Sequence, residues 1–388
     1  MIKYFLLLWV VMGTLDAKTV CLNMIVKNES DVIERCLNSC KNLVDYWVIV
    51  DTGSDDNTKE LIKKIMQGKP GELHERPWVN FAHNRNEAFA LARSKADYLL
   101  FIDADEELVF SKKFNKKHLS KPYYHTVTTE SGFSSVQPLL VETSHPWKWI
   151  GVVHESIYCE GIPQDTSPFL EGIFKLSHSK EGYRSKDPEK YLKDAQVLEK
   201  ALRQDPDNPR DTFYLAQCYN MAQEPLLALK AYERRVKMGG SEEERWYSLY
   251  MIARFHDGLG FPSDQLTKEY CQAFQERNFR AEPLGHLAQH HLVKGNFAIA
   301  YTLAKQALSM QKPQDVAFVE NWLYDYGFLA IYADSSWALG QESEALAAYQ
   351  KIINSGMAPS EVSEKVLASI QRLKMVAKKE GKEGQLRP

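Results

Sequence analysis

The sequence predicts an α/β domain built on a parallel sheet, followed by an all-α domain of helical repeats. Three observations predict it. Short apolar runs alternate with helix-patterned stretches between Thr19 and Ile102, in the order βαβαβαβ. The fourth apolar run, Tyr98-Leu99-Leu100-Phe101-Ile102, leads straight into Asp103-Ala104-Asp105. In the second half, similar helix starts recur at Leu215, Ile252 and Leu287, spaced about 35–37 residues, the period of a stacked helix pair.

Composition bounds the answer. At 388 residues the chain is long enough for two domains, and its 44% hydrophobic and 26% charged content is that of a globular protein. A net charge of -3 with no long basic run gives no nucleic-acid signature. The six cysteines (21, 36, 40, 159, 218, 271) make no zinc spacing, and Cys36 and Cys40 share a helix face as small core residues. Residues 1–17 pair a short positive start with the apolar run Tyr4–Met12, which reads as a signal-like segment. The run is too short for an ordinary spanning helix. Export, or membrane association through the N-terminus, is expected; a cytoplasmic location is the alternative.

The elements follow in order. Thr19–Val26 is a buried strand, and a helix capped by Ser30 or Asp31 runs to Cys40. Tyr46–Val50 is the second strand. It ends in Asp51-Thr52-Gly53-Ser54-Asp55-Asp56-Asn57-Thr58, and a helix from Thr58 to Met66 follows. Glu72–Arg76 is a short third strand and Phe81–Ser94 a third helix, with Asn84-Arg85-Asn86 in its first turns. The acidic pair then sits at the carboxyl end of a buried strand, where open α/β sheets bind ligands. Carboxylates one residue apart form a hard-oxygen site suited to Mg²⁺ or Mn²⁺. A solvated acidic turn is the bland alternative.

Four blocks carry a resemblance: Cys21-Leu22-Asn23-Met24-Ile25-Val26-Lys27-Asn28-Glu29, Val48–Thr58, Ala82-His83-Asn84-Arg85-Asn86 and Asp103-Ala104-Asp105-Glu106-Glu107. In this order, each on the right type of element, they resemble the family 2 glycosyltransferases with a GT-A fold, over roughly Thr19 to His178. The resemblance implies a nucleotide-sugar donor, a UDP-sugar first among them, with the aspartate pair binding its metal diphosphate. It implies Asp105 as the direct metal ligand, with Asp103 toward the metal, ribose or sugar. Asp51 is placed to accept hydrogen bonds from base or ribose; an Asx turn is its alternative. The loop Val26, Asn28, Glu29 presents backbone groups to the base. Asn84 and Arg85 are placed to reach the diphosphate or sugar, and Arg85 has a plain ion-pair role as its alternative. Asp55 either contacts the donor or caps the next helix.

Tyr123–Glu130 and Phe133–Glu142 read as a hairpin turning at Ser131-Gly132, after a Lys-rich connector from Ser111 to Lys121. Pro146-Trp147-Lys148-Trp149-Ile150-Gly151-Val152-Val153-His154-Glu155 follows, a stretch the resemblance puts on the acceptor side. Glu155 or His154 is the expected general base for transfer with inversion. His154 is also a candidate metal ligand, and His178 another; a core histidine and a capping glutamate are the alternatives.

A polar boundary falls at 180–187, giving a domain over 18–180, a repeat domain over 187–375 and a tail over 376–388. Asp187-Pro188 opens the helical half. Ala228-Leu229-x-Ala231-Tyr232 recurs as Ala345-Leu346-x-Ala348-Tyr349, with Gly260, Gly295 and Gly340 between paired helices, as in a degenerate tetratricopeptide-like solenoid. Its aromatics, Trp322 and Tyr250 among them, either line a binding surface or pack between repeats. The expectation is a glycosyltransferase whose glycan, lipid or protein acceptor is bound partly by the repeats. A non-catalytic scaffold with a degenerate first domain is the rival. A sugar-phosphate nucleotidyltransferase would need a Gly-rich basic loop after the first strand, where this chain has Lys27-Asn28-Glu29.

Overall fold

The computed structural model describes residues 17–111, 114–130, 133–163, 166–315 and 318–379. The signal-like segment up to residue 16, the turn Ser131-Gly132 and the end of the tail lie outside them. Among the described residues no helix is long and apolar enough to cross a membrane. The chain divides into two units between Lys190 and Tyr191.

In the first unit the order is β1 (Val20–Val26), α1 (Ile33–Cys40), β2 (Tyr46–Asp51), α2 (Thr58–Ile65), β3 (Gly71–Glu75), α3 (Phe81–Ala92) and β4 (Tyr98–Phe101). Then come β5 (Glu106–Phe110), β6 (Tyr123–Glu130), β7 (Phe133–Glu142), β8 (Lys148–Ile150), β9 (Ser156–Tyr158) and β10 (Ile173–Ser177). Eight of these strands form one sheet, in the order β3-β2-β1-β4-β7-β6-β10-β5. The first four are parallel, as expected from their unbroken apolar runs, and β1, β2 and β4 are buried on both faces. The chain steps outward from β1 to β3 and returns to β4 on the other side of β1. That reversal creates a switch point whose crevice lies beyond Val26 and Phe101.

The sheet as a whole is mixed: the four strands read from the alternating runs are its parallel half, and the later strands extend it. The hairpin β6–β7 joins β4 antiparallel, and β10 enters between β6 and β5. Glu106–Phe110, for which no strand was expected, is an edge strand held by β10. Its Glu106 is buried, and accepts from Lys175 Nζ at 2.8 Å and from the Asp103 N–H at 2.9 Å. Strand β5 therefore anchors the far side of the acidic turn.

Helix α1 buries Ile33, Cys36, Leu37 and Cys40, an i, i+3, i+4, i+7 stripe. Burying Ile33 and Leu37 is worth about 1.5–3 kcal/mol each. Neither Ser30 nor Asp31 caps it: Val32 holds the cap position without a side-chain bond. The Ser30 N–H instead donates to Asp56 Oδ2, because the loops after β1 and β2 are tied to each other.

The second unit is a tetratricopeptide-like array of helices: α4 (Lys190–Gln204), α5 (Pro209–Met221), α6 (Pro225–Val236), α7 (Glu242–Gly258), α8 (Ser263–Glu276), α9 (Glu282–Val293), α10 (Phe297–Leu308), α11 (Phe328–Ala338), α12 (Glu342–Ser355) and α13 (Ser360–Lys379). Helices α5, α7, α9 and α11 each end in a left-handed residue: Gln223, Gly260, Gly295 and Gly340. The residue after each donates back across the turn, as Phe261 does to the His256 carbonyl and Asn296 to that of His291. From Gln223 to Gly260 is 37 residues and from Gly260 to Gly295 is 35, but Gly340 stands 45 further on, so the last repeat carries about ten extra residues. Of the two aromatics named from the sequence, Tyr250 is buried, as are His290 and His291 of α9, whereas Trp322 is 43% exposed.

Candidate active site

The site is built at the carboxyl ends of β1, β2 and β4. Asn28 sits in the left-handed region (φ 55°), which asparagine tolerates better than most residues. Its N–H donates to Ser54 Oγ at 2.8 Å, and its Oδ1 accepts from the Asp55 N–H at 2.9 Å. Thr52 returns a bond to the Val26 carbonyl. The two loops thus form one rigid wall, and Asp55 serves it through its backbone. It does not cap α2; the neighbouring Asp56 accepts from the Thr58 N–H.

Asp51 is fully buried at the end of β2. Its Oδ1 accepts from the N–H groups of Gly53 (3.0 Å) and Ser54 (2.8 Å), so the Asx turn is real. Its Oδ2 is buried with no hydrogen-bond partner. A buried carboxylate oxygen without a donor is costly, and a ligand N–H or O–H would satisfy it.

Helix α3 contributes three consecutive polar residues with three separate tasks. Asn84 is fully buried and its amide is committed to the preceding loop: Oδ1 accepts from the Val79 N–H and Nδ2 donates to the Pro77 carbonyl. It is therefore turned away from the donor role expected of it. Asn86 makes a paired bond with the backbone of Trp149, donating to its carbonyl at 2.8 Å and accepting from its N–H at 2.9 Å. That pair fastens β8 to α3. Arg85 lies between them with its side chain only 11% exposed. Its Nη2 donates to Asp103 Oδ1 at 2.7 Å and its Nε to Glu155 Oε1 at 2.6 Å, while the guanidinium lies over the Trp149 ring. Arg85 is an ion-pair partner, but a buried one that joins the Asp103 carboxylate at the end of β4 to the Glu155 carboxylate on the turn between β8 and β9.

Burial alone would push the Asp103 carboxyl up, but Arg85 and Lys175 outweigh it and hold it below the ordinary aspartate range. Asp105 is half-buried, and its carbonyl accepts from the His178 N–H at 2.8 Å. Glu155 and His154 lie on the turn between β8 and β9. His154 is exposed and left-handed (φ 53°), a strained backbone position of the kind that clusters at functional loops. The His178 ring points toward Glu107 (3.6 Å) and Glu181 (3.8 Å). Among the described residues no three His, Cys, Asp or Glu converge as a preformed metal cage. Neither histidine therefore completes one with the aspartate pair, and a cation held there would draw the rest of its oxygen shell from diphosphate and water.

Beyond His178 the chain lies across this end of the unit. Glu181 pairs with Arg35, Lys186 with Asp31, the Tyr183 N–H donates to Glu29 Oε2, and the Arg184 guanidinium covers the Phe81 ring. This polar stretch, read from the sequence as a boundary, belongs structurally to the first unit. Burial first, then the charges of Asp105, Asp103 and Asp56, push the Glu29 carboxyl up to about 7, against the Tyr183 N–H.

Residues 21–113 match the family model described as Glycosyl transferase family 2. The chain carries a family 2 glycosyltransferase domain. Curated relatives agree in name. The glycosyltransferase SunS of Bacillus subtilis (strain 168) is 29% identical over 224 residues, 52% of this chain and 49% of the relative. A glycosyltransferase of Rickettsia bellii is 35% identical over 97 residues, 25% of this chain and 31% of the relative. A TPR repeat-containing protein of Synechococcus elongatus is 38% identical over 91 residues, 23% of this chain and 21% of the relative. The chain spans about a fifth to a half of the length of these relatives. Among solved structures, MamA is similar at 14% identity and a TM-score of 0.36, covering 43% of this chain and 89% of that one. Staphylococcus aureus TarS is similar at 12% identity and 0.32, covering 68% and 55%. The glycosyltransferase domain's four sequence blocks meet around one crevice. Asn86, Glu106, Lys175 and the stretch after His178 complete it, and were not foreseen as site residues.

Proposed function

We propose that the glycosyltransferase domain moves a sugar from a nucleotide-sugar to an acceptor with inversion, and that the helical array holds part of that acceptor. The observation that carries this reading is the Arg85 bridge, which keeps Asp103 and Glu155 within one guanidinium of each other. Donor-side and acceptor-side carboxylates then face one reaction centre.

Asp103 and Asp105 offer oxygen donors only, and the Asp103 side chain is 48% exposed, so the pair fits a hard divalent cation. They would hold Mg²⁺ or Mn²⁺, which when bound supplies Lewis-acid stabilisation of the leaving diphosphate. Asp51 Oδ2 accepts a hydrogen bond from the base or ribose of a UDP-type donor, and the wall formed by Val26, Asn28 and Glu29 shapes the base pocket. Arg85 orients both carboxylates and stacks on Trp149. Glu155 takes the acceptor hydroxyl proton; Oε1 is engaged by Arg85, which leaves Oε2 for the proton. His154 lines the acceptor entrance.

The test is a panel of nucleotide-sugars assayed for diphosphate release with and without Mn²⁺. The expected outcome is release from one donor, dependent on the cation, and loss of cation-dependent UDP binding in Asp105→Asn by calorimetry. Equal UDP affinity in the variant would remove the metal assignment. No release from any donor would leave the scaffold reading standing.

A further inference from the structure

The helical array contains one connector far longer than the others. The connectors from α6 to α7 and from α8 to α9 are five residues each, 237–241 and 277–281, whereas α10 and α11 are separated by everything from Ser309 to Leu323–Gly327. This is where the extra residues of the last repeat lie. The described part of the connector runs back over the first helices of earlier pairs. The Phe318 ring packs on Tyr247 of α7 at 4.2 Å between centroids and faces Phe213 of α5 at 5.5 Å. Glu320 accepts from the Tyr250 hydroxyl and from Arg254 Nη1 (3.0 Å), both on α7, and lies 3.1 Å from His286 Nε2 of α9. Trp322 Nε1 closes the ring of donors at 3.1 Å. Burial would raise the Glu320 carboxyl, but His286, Tyr250 and Arg254 hold it at about 2.

Two features mark this segment as strained. Phe318 is left-handed (φ 59°), a conformation bulky side chains avoid, and it is held there by the packing of its ring. Immediately after Trp322 the chain makes a π-helical turn, Leu323–Gly327, before α11 begins. The seat is also open at its rim, where the Arg254 side chain is 38% exposed.

We propose that this seat on α5, α7 and α9 is a recognition site for an extended polypeptide segment. That segment carries an aromatic side chain two positions before a carboxylate. The α10–α11 connector is the site's built-in occupant. A partner of that chemistry binds by displacing Phe318 and Glu320, which relieves the left-handed backbone as it leaves. Because the occupant is tethered, its effective concentration is in the millimolar range, and a free peptide competes poorly until the tethered anchors are removed. The inference does not depend on the transfer chemistry: the donor assays above can fail while this holds, and the reverse.

The test uses the full chain and a capped, fluorescently labelled peptide copying residues 318–322, Phe-Val-Glu-Asn-Trp. Fluorescence anisotropy should show weak binding to the unaltered chain and binding at least about tenfold tighter to Phe318→Ala/Glu320→Ala. Adding Arg254→Ala should abolish it, as should alanine in place of the peptide's Phe and Glu. A folded double variant that binds no peptide overturns the proposal, as does one that binds no peptide but dimerises in the ultracentrifuge. Should the double variant fail to fold, hydrogen exchange on the unaltered chain decides. Amides 318–322 exchanging well ahead of those in α9 support a displaceable occupant, and exchange as slow as α9 overturns it.

Discussion

Gly182 lies against Asp105: a methyl group on Gly182 would stand 2.9 Å from Asp105 Oδ2 and 3.3 Å from its Cβ. The Gly182 backbone is ordinary (φ −61°), so alanine fits the chain there but not the space. Gly182→Ala should turn the Asp105 carboxylate without unfolding the domain. The expected result is weaker Mn²⁺-dependent UDP binding and up to about 10²-fold slower transfer, as for other small misplacements of catalytic groups. Calorimetry and a thermal melt check it; unchanged binding with an unchanged melt would show that the contact does not constrain Asp105.

Glu155→Gln removes the proposed proton acceptor while keeping a hydrogen-bond partner for Arg85. Turnover should fall about 10²–10⁴-fold, with donor affinity nearly unchanged. Steady-state rates beside a donor-binding isotherm separate these effects. Near-normal turnover would reduce Glu155 to an anchor for Arg85.

Lys175 and Glu106 form an ion pair whose side chains are 4% and 5% exposed. Lys175→Met leaves Glu106 buried and uncompensated, a change that costs about 3–5 kcal/mol. For a domain of this size the melt should drop on the order of 10 °C. The double variant Lys175→Met/Glu106→Gln should recover much of that loss, because no buried charge is left without its partner. A double variant no better than the single one would mean that the hydrogen bond from Asp103 to Glu106 carries the stability.

Glu29 makes a prediction about pH. Its carboxyl is raised in the folded protein to about 7 from 4.5. A raised folded value gives stability that is full below the unfolded pKa and lost as pH rises through the folded one. Glu29→Gln never ionises. Its melting temperature should match the unaltered protein's below pH 4.5, exceed it increasingly up to about pH 7, and keep that margin above. Melts at pH 4 and pH 8 test it; a margin of the same size at both would disconnect Glu29 from the titration.

Local patterns made the parallel half of the sheet legible, because strands buried on both faces read as unbroken apolar runs and the helices between them as amphipathic stripes. Asp51, Asp103 and Asp105 were legible for the same reason, since each ends such a run. Of the second half only the hairpin Tyr123–Glu130 and Phe133–Glu142 was legible. Glu106 and Glu107 look solvated in the sequence, and only the pairing of β5 with a strand far along the chain explains a buried glutamate there. Asn84, Arg85 and Asn86 were found as a block, but their division of labour depends on which loop each helical direction faces. The helix pairs were visible in the spacing of Gly260 and Gly295. Gln223, doing a glycine's work in the first turn, was hidden. The oversized third spacing could be counted from Gly295 and Gly340, but its meaning appears only once Phe318 and Glu320 are seen against α5, α7 and α9.

The order of the strands also governs when the site can come into being. Strand β5 has one neighbour, β10, and β10 is the last strand of the unit to be synthesised. As the polypeptide emerges from the ribosome, Asp103 and Asp105 are exposed early, yet the strand that braces them has nothing to pair with until Ile173–Ser177 follows. Lys175, the counter-charge for Glu106, arrives on that same strand. A nascent chain arrested before Ile173 therefore carries the whole acidic turn without the strand that braces β5, and Glu106 meets its counter-charge only when the final strand docks.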